Sequence, residues 1–182
     1  MVDTSLNKKY TAKESVAMDY SPIPDGTYRA RVKEVAPWKK ETKTIKVIQR
    51  DENGTALKDE KGNNITETVQ NCEFYNCSVR LEITEGQYSG RLVFHNLSTH
   101  PNMPFSIPAF LYGLGVSELA AGEIQDNVPG KECLIDVITE TYTKTVQNKE
   151  TGLDEEQERQ INKVKNFKQL PDQDIELSDM GI

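Results

Sequence analysis

Between Cys77 and Phe94 the chain writes a strand, a turn and a second strand, and this pattern limits the fold more than any other. Cys77, Val79, Leu81 and Ile83 alternate with Asn76, Ser78, Arg80 and Glu82, the period of two expected of a strand with one buried and one wet face. Gly86 and Gly90 bracket Gln87, Tyr88 and Ser89 and supply the backbone freedom that a reversal needs. Arg91, Leu92, Val93 and Phe94 then resume extended structure. Residues 72–97 therefore predict the sheet around which the rest is placed, with one face making core and the other offering Arg80 and its neighbours to a partner.

Upstream, residues 1–21 are polar and without clear period, which predicts a flexible N-terminal arm or one short amphipathic helix. Pro22, Pro24 and Asp25-Gly26 close it with turn chemistry. A first strand follows, with Tyr28, Ala30 and Val32 on one face and Arg29, Arg31 and Lys33 on the other, a face that is entirely cationic. Pro37 and Trp38 interrupt it, and Thr42 to Gln49 continue extended. Residues 50–71 are charged and rich in turn formers, and the echo of Asp51-Glu52-Asn53-Gly54 in Asp59-Glu60-Lys61-Gly62 predicts a small excursive hairpin rather than a repeat architecture. Its acids lack the spacing of a calcium loop.

Downstream, Ser106 as cap, Pro108 in the first turn and Phe110, Leu111, Leu114 and Leu119 at helical spacing predict one helix over residues 105–121. Residues 132–141 read as a strand apolar on both faces, hence central. Residues 143–160 read as a long polar connection. Residues 161–170 form a last strand with Lys163, Lys165 and Phe167 on one face and Val164 on the other. Residues 171–182 carry Asp172, Asp174, Glu176 and Asp179 without a base and end in Met180, Gly181 and Ile182, which predicts a disordered acidic tail with an apolar tip.

Charge narrows the partner. The net charge of −7 opposes a polyanion, but its distribution does not. From Gly26 to Arg50 there are eight basic residues (Arg29, Arg31, Lys33, Lys39, Lys40, Lys43, Lys46, Arg50) against Glu34 and Glu41, with the acid read as gathered in loops and at the end. No apolar run approaches the ~20 residues of a bilayer span, and Cys72, Cys77 and Cys133 cannot all pair within one chain, which fits a reducing compartment. No membrane partner and a cytoplasmic location are expected.

The order strand, strand, strand, helix, strand, strand is that of a mainly β protein, a five-stranded OB-like Greek-key barrel with one helix between strands three and four. That fold grips oligonucleotides with its second and third strands and the first-to-second and fourth-to-fifth loops, here residues 50–71 and 143–160. PDGTYRARVKEV, VRLEITEGQYSGRLVFHNL, a helix ending in LGV, VPGKECLIDV and INKVKNFKQL together resemble a bacteriophage protein family long carried as a domain of unknown function. Its members occur among phage recombination and replication genes and are regarded as single-stranded DNA-binding proteins. The resemblance covers residues 24–170 and is most specific in Gly86-x-Tyr88-x-Gly90-Arg91, followed by Phe94 and Leu97. Residues 50–71 and 143–160 are longer than the family implies. The acidic tail is similar in composition to those by which bacterial single-stranded DNA-binding proteins recruit partner enzymes, so Asp172, Asp174, Glu176, Asp179 and Ile182 are expected to contact replication or recombination proteins. If phage-encoded, the chain would work in the host cytoplasm.

Single strands are held by cations that follow phosphates and by aromatic faces that stack bases. The residues expected to do so are Arg29, Arg31, Lys33, Trp38, Lys39, Lys40, Lys43, Lys46, Phe74, Arg80, Tyr88, Arg91, Lys165 and Phe167. Trp38, between Pro37 and two lysines and outside any apolar pattern, is the leading stacking candidate. RNA offers the same faces and phosphates, and oligomerisation is left open. Cys72-x4-Cys77 and His95-x4-His100 imitate a zinc site, but residues five apart on a strand face opposite sides and the seventeen-residue gap fits poorly. No metal or cofactor is expected, and the absence of nucleophile, phosphate-loop and dinucleotide motifs argues against an enzyme. The rival reading is a phage protein-interaction or virion-associated β-domain that binds no nucleic acid.

Overall fold

The computed structural model describes residues 21–147 and 154–171. Among these residues six strands, β1 (Gly26–Val35), β2 (Lys39–Ile48), β3 (Thr66–Ile83), β4 (Leu92–Ser98), β5 (Glu132–Gln147) and β6 (Asp154–Lys168), are joined by one helix of two turns, α1 (Ser106–Gly113), and a short α2 (Ile124–Asn127). All pairings are antiparallel. β3 is the hub: β1 and β2 lie end to end along one of its edges and β4 along the other. β1 then pairs with β5, and β5 with β6.

The sheet is open rather than a closed barrel, since no ladder joins β4 to β6 among the described residues. The two edges nevertheless meet through side chains. The His95 and Phe167 rings stand edge to face with centroids 4.9 Å apart, and Phe167 packs in turn on Phe110 of α1 at 5.3 Å. Gly113 makes this approach of α1 to β6 possible, because a Cβ there would stand 2.5 Å from that of Phe167.

The core follows the alternation: Val79, Leu81, Ile83, Val93, Leu97, Ala30, Val32, Cys133, Ile135 and Val137 are all buried. Gly86 and Gly90 both have positive φ, as the reversal between β3 and β4 requires. Three irregularities rephase the strands. Lys33 is the extra residue where Val32 faces Leu81 and Glu34 faces Arg80, so Val32 and Val35 both point inward. Lys165 is the extra residue where Asp136 faces Asn166 and Val137 faces Val164. This corrects the expected facing of the last strand, since Val164 and Phe167 both reach the core while Lys165 stays outside. In β3, Asn71 adopts φ 51° where the β2 pairing shifts, a left-handed conformation that asparagine tolerates.

Several expected boundaries move. The interruption at Pro37, which lacks an N–H, separates β1 from β2 without turning the chain, because Ala36 N still donates to Ser78 O at 2.8 Å. The hairpin placed at residues 50–71 is shorter, since β3 already begins at Thr66. The loop placed at residues 143–160 is largely strand, with pairs continuing to Gln147 and Asp154. The helix expected over residues 105–121 stops at Gly113, with Gly115 at φ 67°, and Ser106 is its first residue rather than its cap. The long ribbons β2/β3 and β5/β6 thus leave the sheet from opposite ends of β1. At the base of the second, the Asn162 side chain accepts from Ile23 N at 2.8 Å and donates to Ile23 O at 2.9 Å.

The echo in residues 51–62 is structural. Asp51 Oδ1 accepts from the N–H of Asn53 and Thr55, and Asp59 Oδ1 from those of Lys61 and Asn63, each at 2.9 Å. The two matching turns bring Gln49, Leu57 and Ile65 into a ring of hydrogen bonds. Gln49 N donates to Ile65 O at 2.9 Å, Ile65 N to Leu57 O at 2.8 Å, and Leu57 N to Gln49 O at 2.9 Å. The tip of the first ribbon is a closed triangle and not a simple hairpin.

Candidate nucleic-acid interface

The outward faces of β1, β3, β4 and β5 form one surface, whose rows are set by register: Glu34, Arg80 and Phe94 in one, Arg31, Glu82 and Leu92 in the next. Arg29, Arg31, Lys33 and Arg80 all project from it as expected. What the single-strand pattern of β1 did not reveal is that neighbouring strands and the β3–β4 turn answer each cation with a carboxylate. Arg29 contacts Glu85 and Glu132, both at 2.8 Å, and Arg31 contacts Glu132 at 3.2 Å. Lys33 contacts Glu82 at 3.1 Å, and Arg80 contacts Glu34 at 2.7 Å. Four cations meet four acids, so the entirely cationic face is a neutral mosaic. The acid expected in loops and at the end lies partly in the sheet. Burial works against ionisation of Glu132, yet hydrogen bonds from Arg29 and Arg31 hold its carboxyl below the usual range. On the same surface, hydrogen bonds from Lys168, Thr27 and Asn166 bring Asp136 down to about 2.

The remaining candidates divide. Lys40 pairs with Glu73 at 2.7 Å and Lys43 with Glu41, whereas Lys39, Lys46 and Lys165 are exposed and have no ion pair among the described residues. Arg91 donates to Ser21 O. Tyr88 is half-buried edge-on against Tyr28. Phe74 and Phe167 are buried and have no face for a base. Phe74 shares the outward parity of Asn76 and Arg80, but the chain leaving β4 crosses it, with the His100 ring 4.6 Å away. Trp38, expected outside any apolar pattern, packs against the core and donates Nε1–H to Ala121 O at 2.9 Å. That contact joins the β1–β2 break to the turn before α2.

Among the exposed aromatics are Phe94 and Phe105, neither of them expected to stack bases. Phe94 is 53% exposed, directly across from Arg80, and Phe105 is 63% exposed beside the first ribbon. The signal for Phe94 was its phase: Val93 and Leu97 match the inward residues of β3, which turns Phe94 outward, but the run Leu92-Val93-Phe94 reads as uniformly apolar. A groove of about 380 Å³ against α1, between Leu111, Tyr112 and Gln169, is apolar, with Glu118 its one charged wall. No group of three His, Cys, Asp or Glu side chains converges as a metal site among the described residues. No described helix is long and apolar enough to cross a membrane. The expected flexible arm at residues 1–21 falls, Ser21 apart, outside the described residues, as do Asp172, Asp174, Glu176, Asp179 and Ile182 of the tail.

Comparison with protein-family models, curated proteins and solved structures found no match to this chain.

Proposed function

We propose that this chain is a sequence-tolerant single-stranded DNA-binding protein of the phage type it resembles, built on an OB-like barrel. One observation carries the reading: Phe94 stands exposed beside Arg80 on the paired strands β3 and β4, between ribbons that leave opposite ends of β1. Numbered as five strands, β1 and β2 counting as one, the order β4-β3-β1-β5-β6 matches that of an OB barrel, and the side-chain contact between β4 and β6, where no ladder forms, supports the likeness. Strands two and three with the two long connections form the usual oligonucleotide face. The ion pairs do not block it. The Arg80 and Glu34 side chains are 52% and 54% exposed, and such pairs contribute only ~0–1 kcal/mol, so phosphate can replace the carboxylate. In replication or recombination the tail of residues 171–182 would contact partner proteins.

The test is anisotropy of labelled oligothymidine, against duplex and against oligouridine. Binding to the single strand should exceed binding to duplex, and Phe94→Ala should weaken it about tenfold, the effect of losing one stacked base. Salt dependence should be shallow. Lys39, Lys46, Arg50 and Lys165 have no ion pair among the described residues, which gives a log–log slope of about −3, whereas the eight basic residues from Gly26 to Arg50 would give about −6. No preference for single strands, or an unchanged Phe94→Ala variant, would count against the reading.

The second reading, a phage protein-interaction or virion-associated β-domain, is favoured by the neutral mosaic and by exposed Phe94, Phe105 and Tyr112. It is preferred if no oligonucleotide binds at low salt.

A further inference from the structure

We propose that Phe105, Arg50 and Lys46 form a second nucleotide subsite, on the β2/β3 ribbon, taking one base and its phosphate from the same strand that Phe94 engages. The inference rests on the single-stranded DNA reading and extends it to Phe105, which the sequence pattern did not single out, and to a place on the ribbon away from the Phe94 surface.

Three observations build the site. First, the chain after β4 is fixed onto the ribbon: Asn102 Oδ1 accepts from Ile48 N at 2.9 Å and its Nδ2 donates to Lys46 O at 2.8 Å. This sets Phe105 beside Gly54, with its Cζ 3.9 Å from where a Gly54 side chain would begin, while the ring stays 63% exposed.

Second, Arg50 is held at the same glycine, its Nη1 donating to Gly54 O at 2.8 Å. Its Nε is buried without an acceptor, and no carboxylate pairs with it among the described residues. The adjacent Asp51 does not serve, because its Oδ1 accepts from the N–H of Asn53 and Thr55 within the turn. Nε itself is enclosed, so a phosphate would be met by the outer guanidinium nitrogens, of which Nη1 alone is engaged, by Gly54 O, among the described residues.

Third, Lys46 is exposed and has no ion pair among the described residues, unlike the cations of β1. An open ring beside one uncompensated cation, with a second on the same ribbon, is the combination that holds a single strand, stacking plus phosphate contact. The closed triangle of Gln49, Leu57 and Ile65 stiffens the ribbon that carries it.

The two subsites are far apart. Lys46 lies opposite Thr68, and Arg80 is twelve residues further along β3, about 40 Å of extended chain. A short oligonucleotide can occupy one subsite but not both.

The experiment is a length series of labelled oligothymidines with wild type, Phe105→Ala, Phe105→Tyr and Arg50→Gln, alongside 5-iodouridine photocrosslinking located by mass spectrometry. Phe105→Ala should weaken the longest oligomers about tenfold and leave the shortest binding oligomer within twofold. Phe105→Tyr should restore long-oligomer binding, Arg50→Gln should behave like Phe105→Ala, and a crosslink should map to Phe105 only with the long oligomers. If wild type binds but Phe105→Ala binds every length equally well, the second subsite is wrong and the Phe94 reading stands. If wild type binds no single strand, both fall. Loss at all lengths in both Phe105 variants, with an altered circular dichroism spectrum, also overturns the proposal, because it gives Phe105 a folding role.

Discussion

Gly113→Ala should lower the melting temperature, although helix propensity alone argues the opposite. Alanine is favoured over glycine inside a helix by ~1 kcal/mol, and Gly113 ends α1 without a positive φ. The packing reverses the sign. The added Cβ would lie 2.5 Å from Phe167 Cβ and 3.2 Å from its carbonyl carbon, atoms that cannot swing aside as a side-chain tip would. Overpacking of this kind costs about 1–3 kcal/mol, here at the upper end because backbone must move. A net loss of about 2 kcal/mol corresponds to roughly 4–8 °C in a chain of this size, measurable by calorimetry or circular dichroism. A stabilised variant would mean that α1 does not sit on β6 this closely.

Acidification is the second large effect, and it acts at the neighbouring seam. Burial beside Phe167 pushes the His95 imidazole down to about 4, against about 6.5 in the unfolded chain. Between those values the unfolded chain binds the proton and the folded one does not, so stability falls as pH falls through that window. About 2 kcal/mol should be lost between pH 7 and pH 5, read as a drop in the urea midpoint. The lowered carboxyls of Asp136, Glu132, Glu41 and Asp59 act in the same direction. Their contribution is present above the unfolded carboxyl values and is lost only below about pH 4.5, which leaves the upper window to His95. His95→Phe, keeping an aromatic ring against Phe167, should flatten the dependence between pH 7 and pH 5. An equally steep variant would locate the titration elsewhere.

Both effects arise where β4, β6 and α1 meet, and nothing in the local pattern marks that junction. His95 reads as part of a metal-like spacing, Gly113 as a blemish in a helix and Phe167 as an outward aromatic. Each is explained by a contact between residues more than fifty positions apart in sequence. The interface divides in the same way. Outward placement of Arg29, Arg31, Lys33 and Arg80 was legible because a strand's side chains alternate whatever it pairs with. Their neutralisation by Glu132, Glu85, Glu82 and Glu34 was not, because register, rather than sequence proximity, brings those carboxylates alongside. Phe74 and Trp38 are less open than their local pattern implies for a related reason: one is covered by chain leaving β4, the other by the turn at Ala121.

The sequence by itself determined the central hairpin, its buried face, its glycine turn and the mainly β character, since period and backbone freedom are local properties. Tertiary structure decided the rest. Bulges at Lys33 and Lys165 reset which residues reach the core, and β1 and β2 became one line along β3. Pairing across strands turned a basic stripe into a mosaic, and tertiary packing left Phe94 and Phe105 among the exposed aromatics. A side chain's direction follows from its own strand, but its partners follow from strands that the chain reaches only after folding.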